Sequence, residues 1–175
     1  MNHLISNPSG IDVAIKDMQA DLYDGLSDHF TSIEGFGRVY KFPQDDSFIP
    51  KRYDVNVKDY ESVYLDDTKG CSFFFIDGDD HDTEDGIVYT APVKIVFWMD
   101  LSKLDDSHRA DAEAHRLAAM FLKEVPLEFT YEGLEKGIDT VFKGFNTKDI
   151  QKDDLQPWHL FALKIKLSYY LTQKC

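Results

Sequence analysis

Between residues 77 and 85 the chain carries six carboxylates: Asp77, Asp79, Asp80, Asp82, Glu84 and Asp85, with His81 among them. Such density invites a metal. A calcium loop of the helix-loop-helix kind needs oxygen ligands at positions 1, 3 and 5, glycine at 6 and a bidentate glutamate at 12. Counted from Asp77, the third position is Asp79, but His81 stands at the fifth, Asp82 at the glycine position and Val88 at the twelfth. The flanking segments also read as strands rather than helices. The stretch is therefore read as a solvated connection whose charges keep strand edges from mispairing. All six carboxylates are taken as a partner-contact loop, and no metal is assigned.

Other chemistry is sparser. His108, Asp111 and His115 fall near one another on a predicted helix. Two imidazoles seven residues apart nevertheless stand about 10 Å apart along the axis, too far for one ion in a regular geometry. The pattern reads as a polar flank, with Asp111 and His115 paired across one turn. Cys71 precedes the apolar run "SFFFI" and has no activating neighbour in sequence, so it reads as a small buried residue. Asp77, Asp100 and Lys94 could be assembled into a metal-nuclease trio, but in so acidic a chain such trios arise by chance. No G-x-S-x-G elbow, glycine-rich phosphate loop, H-E-x-x-H or C-x-x-C is present. No catalytic residue and no cofactor are expected, and the chain is not read as an enzyme.

Composition narrows the class. The 175 residues carry a formal net charge of −13, from 32 acidic against 19 basic residues, and no Lys/Arg cluster interrupts it. A grip on phosphates or on an anionic membrane needs basic residues at the contact. Two cysteines, Cys71 and Cys175, provide no disulfide framework. The first residues lack the basic start and apolar stretch of a signal peptide, and no run of eighteen apolar residues occurs. The expectation is a single domain over 1–175, soluble and cytoplasmic in synthesis.

The elements that would hold these residues follow from periodicity. Ile11, Ile15, Met18, Leu22 and Leu26 recur at helical spacing, predicting a helix over 10–26, opened by Ser9 and Asp12 and weakened at Gly25. Strands are predicted within 36–100: "FGRVYKF", then a proline-bearing loop at 43–52, "KRYDVNV", "YESVYL", "CSFFFI" and the long "IVYTAPVKIVFWMDL", with Pro92 at a strand start or bulge. A second helix is predicted over 106–125, capped by Asp105, Asp106 or Ser107 and stopped by Pro126. It would present Ala110, Ala114, Leu117, Ala118, Phe121 and Val125 on one face. Strands return within 127–171, as "LEFTYEGL", "DTVFKGF" and "PWHLFALKIKLSYYL". The last puts Phe161, Leu163, Ile165, Leu167 and Tyr169 on one face. The implied fold class is α+β: an antiparallel, twisted sheet with two helices packed on it. Trp98 falls beside Val96, opposite Val93, Ile95 and Phe97, so both faces of that strand are apolar. One face would need a second sheet or another subunit, and Trp98 and Val96 are therefore placed near a subunit interface.

This order of elements, with "CSFFFIDGDDHD", "VKIVFWMDLSKL" and "DTVFKGFNTKDIQKDDLQPWHLFALKIKLSYYL", resembles phage tail-terminator and head–tail joining proteins. It is similar to neck or tail-completion proteins of phages and prophages of Bacteroides-type bacteria, over residues 10 to 171. The resemblance implies a structural virion protein at the head–tail junction, built as a homo-oligomeric ring on portal, neck or tail proteins. DNA would pass through its channel as cargo, without sequence-specific binding and without a membrane. The family carries no active-site residues to transfer, and the loops at 43–52 and 77–86 exceed its shorter connections. An acidic calcium-binding or protein-interaction module is the alternative.

Overall fold

The computed structural model describes residues 1–54, 57–64, 66–104, 109–148, 150 and 157–172. It is an α+β fold built on a seven-stranded mixed sheet and a separate three-stranded one. In the large sheet the order is β1 (Asn2–His3), β2 (Ile33–Arg38), β6 (Cys71–Asp77), β8 (Val88–Asp100), β10 (Trp158–Tyr170) and β9 (Phe129–Lys136). The two-residue β7 (Asp82–Thr83) pairs with the start of β8. The small sheet is β3 (Tyr40–Gln44), β4 (Ser47–Asp54) and β5 (Asp59–Ser62).

The purely antiparallel sheet expected from the sequence is corrected here. β1 and β2 run parallel, and so do β2 and β6. Parallel neighbours need a crossover connection rather than a hairpin, and both of these pairs have one. α1 (Ile11–Ser27) is the crossover from β1 to β2, and the small sheet lies in the connection from β2 to β6. The remaining pairings, β6 with β8 and β8 with β10 and β10 with β9, are antiparallel.

Both long helices cover one face. Ile15, Met18, Leu22 and Leu26 of α1, with Ala114, Leu117, Ala118 and Leu122 of α2 (Ala110–Glu124), pack over Phe73, Phe75, Ile95, Phe97, Phe161 and Ile165. The residues proposed as caps of α2, Asp105 to Ser107, lie outside the described residues. Its C-terminus stops where Val125 turns extended ahead of Pro126, as the proline ring requires of its predecessor. Gly25 does not end α1, which runs on to Ser27, and it makes room: a Cβ there would stand 2.4 Å from the Phe121 ring of α2. Ser9 gives no side-chain cap; Gly10, at a φ of 56°, begins the helix.

The opposite face is covered by the chain itself. Trp98, Val96, Phe74 and Ile76 meet Phe36, Val39, Val63, Ile138, Val141, Phe142 and Ile150. Trp98 and Val96, expected at a subunit interface, are fully buried, and neither has surface left for a neighbour. The cover comes from α3 (Ile138–Val141) and its continuation, a stretch whose composition predicts the strand "DTVFKGF". Pro92 is likewise inside a ladder, opposite Lys166 of β10. Its carbonyl accepts from the Gly78 N–H on the other side, so the missing N–H of Pro92 points to the same side, where β6 has ended. Gly78 permits the contact, since a Cβ there would lie 2.4 Å from the proline ring.

Candidate interaction site

The segment read as a proline-bearing loop at 43–52 is a hairpin. Tyr40 pairs with Lys51, Phe42 with Ile49, and Pro43 with Phe48, around a turn in which Asp45 adopts the left-handed conformation that Asp tolerates. β5 adds Tyr60 opposite Tyr53. Alternation then gathers Tyr40, Phe42, Tyr53 and Tyr60 on one face, with ring centroids 5.2 to 6.3 Å apart. Lys51 Nζ stands 4.1 Å above the Phe42 ring. Nothing among the described residues covers these rings: Tyr40 is 54% exposed, Tyr53 52%, Tyr60 40% and Phe42 36%. Val55 and Asn56, from the alternating "KRYDVNV", lie outside the described residues.

The aromatic face looks onto a groove of about 520 Å³, whose far wall holds Asp12, Arg38, Asp77 and Asp79. Arg38 organises that wall. Its Nε and Nη2 donate to the two Asp12 carboxylate oxygens at 2.7 and 3.0 Å, and Nη1 donates to Asp77 Oδ2 at 2.9 Å. These bonds, Asp12 foremost, hold the guanidinium charged well beyond its ordinary range. Lys41 Nζ donates to Asp79 Oδ1 at 2.7 Å and keeps that carboxyl below its usual pKa.

The acidic loop is thus anchored rather than free. His81 Nε2 lies 3.2 Å from the Gly78 carbonyl, which can only accept, so Nε2 carries the proton. Nδ1 lies 2.7 Å from the Tyr169 hydroxyl, which ties the loop to β10. Asp85 accepts from the Ile87 and Val88 N–H groups, which hold its carboxyl low. Asp80, Asp82 and Glu84 keep no partner among the described residues and face solvent. No three His, Cys, Asp or Glu among the described residues converge as metal ligands.

The other sequence candidates separate. Asp77 stands opposite Val93, whereas Asp100 sits at the far end of β8, roughly 20 Å away at the strand rise, accepting from Ser102. Lys94 is spent on Glu135 at 2.6 Å and the Val141 carbonyl at 3.0 Å. The nuclease trio therefore does not assemble. Cys71 is fully buried, and burial pushes its thiol pKa up, so it stays protonated. Cys175 and His108 lie outside the described residues.

His115 does not pair with Asp111. Asp111 is held by Arg109 at 2.8 and 3.0 Å, while His115 Nε2 meets Nε2 of His159, on β10, at 2.9 Å. Burial depresses both imidazoles, His115 to about 4. Sequence reasoning missed this pair, and also Arg38 and the aromatic face. Period-two placement of Tyr40 and Phe42 was the one signal available for the last.

No protein-family model matches the chain, and no curated protein matches it.

Proposed function

We propose that this protein is a structural subunit of a phage head–tail junction, tail-terminator-like in fold, which closes into a homo-oligomeric ring. In that role it joins portal, neck or tail proteins in the virion and lets DNA pass. The observation that carries self-association is the uncovered aromatic face of the small sheet. Four clustered rings beside a lysine make a contact surface of the kind rich in interface energy. A ring also needs a second, different surface on each copy, because rotation closes it head to tail.

The outer edge of β9 suits that part. It is the sheet edge farthest from β2, from which the small sheet emerges, and it exposes Tyr131 and Leu134 beside Glu128 and Glu132. Lys51 and the aromatic rings of one copy would meet those side chains on the next. The acidic balance of −13 fits a channel wall that repels passing DNA rather than clamping it. Asp80, Asp82 and Glu84, uncommitted among the described residues, are the loop residues to meet a neighbouring virion protein. The calcium alternative draws less support, since Asp77, Asp79 and Asp85 are already engaged by Arg38, Lys41 and backbone N–H groups.

Native mass spectrometry of the purified chain, with and without calcium, tests this reading. Closed rings indifferent to calcium, abolished by joint substitution of Tyr53 and Tyr60 with serine, are the expected result. A chain that stays monomeric at every concentration, or that gains one calcium per copy, overturns it.

A further inference from the structure

His115 and His159 sit 44 residues apart in sequence, yet α2 and β10 bring their Nε2 atoms to 2.9 Å. The rings are tilted by 47° with centroids 5.0 Å apart, and Phe161 packs beside both. Two neutral imidazoles can share one proton at this distance, one donating and the other accepting. The same arrangement is close to what a metal ion requires. An ion bound at about 2.0–2.1 Å to each nitrogen in tetrahedral geometry needs the two nitrogens about 3.3 Å apart. To hold an ion the nitrogens must spread by about 0.4 Å and both rings must turn until their lone pairs converge on it.

We propose that His115 and His159 form a two-histidine site for a transition-metal ion of the zinc or copper class at the seam between α2 and β10. Imidazole nitrogen suits these ions, and the site presents two; the proton on the donating Nε2 must move to that ring's Nδ1 for both to bind. Burial, with His159 and Lys136 adding to it, lowers the pKa of His115, and burial with Lys136 lowers that of His159, which disfavours the charged rings. Asp111, one turn before His115, contributes the opposing negative field and is a candidate for a third ligand. To reach the ion it would leave Arg109, whose side chain is 82% exposed and loses little by release. Since no third ligand is already in place among the described residues, the ion's remaining positions go to water or to Asp111. The inference is independent of the ring reading. It concerns the helix-covered face of the sheet, whereas the aromatic surface belongs to the small sheet.

The test uses the tag-free 175-residue chain, titrated with zinc and with copper. Imidazole nitrogen NMR on the unmodified protein is the primary readout: His115 and His159 signals should shift together and saturate at one ion per chain. Those of His3, His29 and His81 should stay in place. His115→Gln and His159→Gln should each weaken binding by about tenfold or more, and each should remove the rise in Tm that zinc produces. Asp111→Asn should weaken it less. Because the NMR arm needs no substitution, a variant that folds poorly does not blur the outcome. Binding that does not saturate below millimolar metal, shifts confined to other histidines, or unchanged affinity in both glutamine variants would overturn the proposal.

Discussion

The two sheets use the same kinds of residue and reach opposite ends. In the large sheet, Phe73, Phe74, Phe75, Phe97, Trp98 and Phe161 are fully buried, because α1 and α2 lie on one face and α3 with its flanks on the other. In the small sheet, Tyr40, Phe42, Tyr53 and Tyr60 cluster just as closely and stay one-third to one-half exposed. Ring content therefore does not decide burial here. What decides it is whether a later segment of the chain returns to cover the face. β9, α3 and β10 return to the large sheet, and no described segment returns over the aromatic face of the small one. The first sheet is a finished core, and the second keeps an aromatic face that no described segment covers.

The comparison breaks most sharply at Trp98. Trp98→Ala should cost about 3–5 kcal/mol, a large share of the roughly 5–15 kcal/mol typical of a domain. Urea unfolding measures it directly. Trp98→Phe should cost much less, because the indole N–H has no hydrogen-bond partner among the described residues and its removal offsets part of the lost packing. If Trp98→Ala left stability intact while abolishing self-association, Trp98 would be an interface residue after all. Next in size is Gly25→Ala. The added methyl would lie 2.4 Å from the Phe121 ring, so α1 and α2 must part or the ring must turn. A loss of about 1–3 kcal/mol is expected, set against the roughly 1 kcal/mol that alanine gains over glycine inside a helix. No loss in urea unfolding would show that Phe121 swings aside freely.

How legible the fold was in the sequence follows the same division. β10 was readable because alternation of Phe161, Leu163, Ile165, Leu167 and Tyr169 against Lys164 and Lys166 records one covered and one wetter face. α1 and α2 were readable from their apolar stripes. The two-residue β1 is too short for any period, and with it went the parallel pairing that makes the sheet mixed. "DTVFKGF" carries strand-forming residues but folds as a helical turn, since its task is to lay Val141 and Phe142 over Trp98 and Phe74. Pro43 and Pro50 disguised a hairpin as a loop. The acidic loop was legible as a loop, but not its anchors. Arg38 lies 39 residues from Asp77, and Tyr169 lies 88 from His81. The His115–His159 contact is hidden for the same reason, because nothing local in either segment announces the other.

Substitutions on the small sheet sharpen the contrast from the other side. Tyr53→Ser with Tyr60→Ser removes exposed rings, so stability should fall by no more than about 1 kcal/mol for each ring–ring pairing removed. Association, read by sedimentation velocity, should fall far more. An equal loss of stability and association would mean that the aromatic face is a core of its own.

The smallest expected effect concerns the wall across the groove. Arg38→Met cuts the ties from β2 to Asp12 of α1 and to Asp77 at the root of the acidic loop. Both are partly solvated ion pairs, so the loss should be about 0.2–1 kcal/mol per pair. Its signature should be local: faster amide exchange through residues 78–86, with the β8–β10 ladder unchanged. Acid should not mimic it at once. Asp79 and Asp85 titrate below the ordinary carboxylate value, so their stabilisation is full above the unfolded pKa near about 4. It is lost only as the pH falls through their lowered folded values. Amide exchange at about pH 5 should therefore find the loop of the unmodified chain anchored while the loop of Arg38→Met is already loosened. If the two loops exchange alike, Arg38 is only decorating a wall that Lys41, His81 and the backbone already hold.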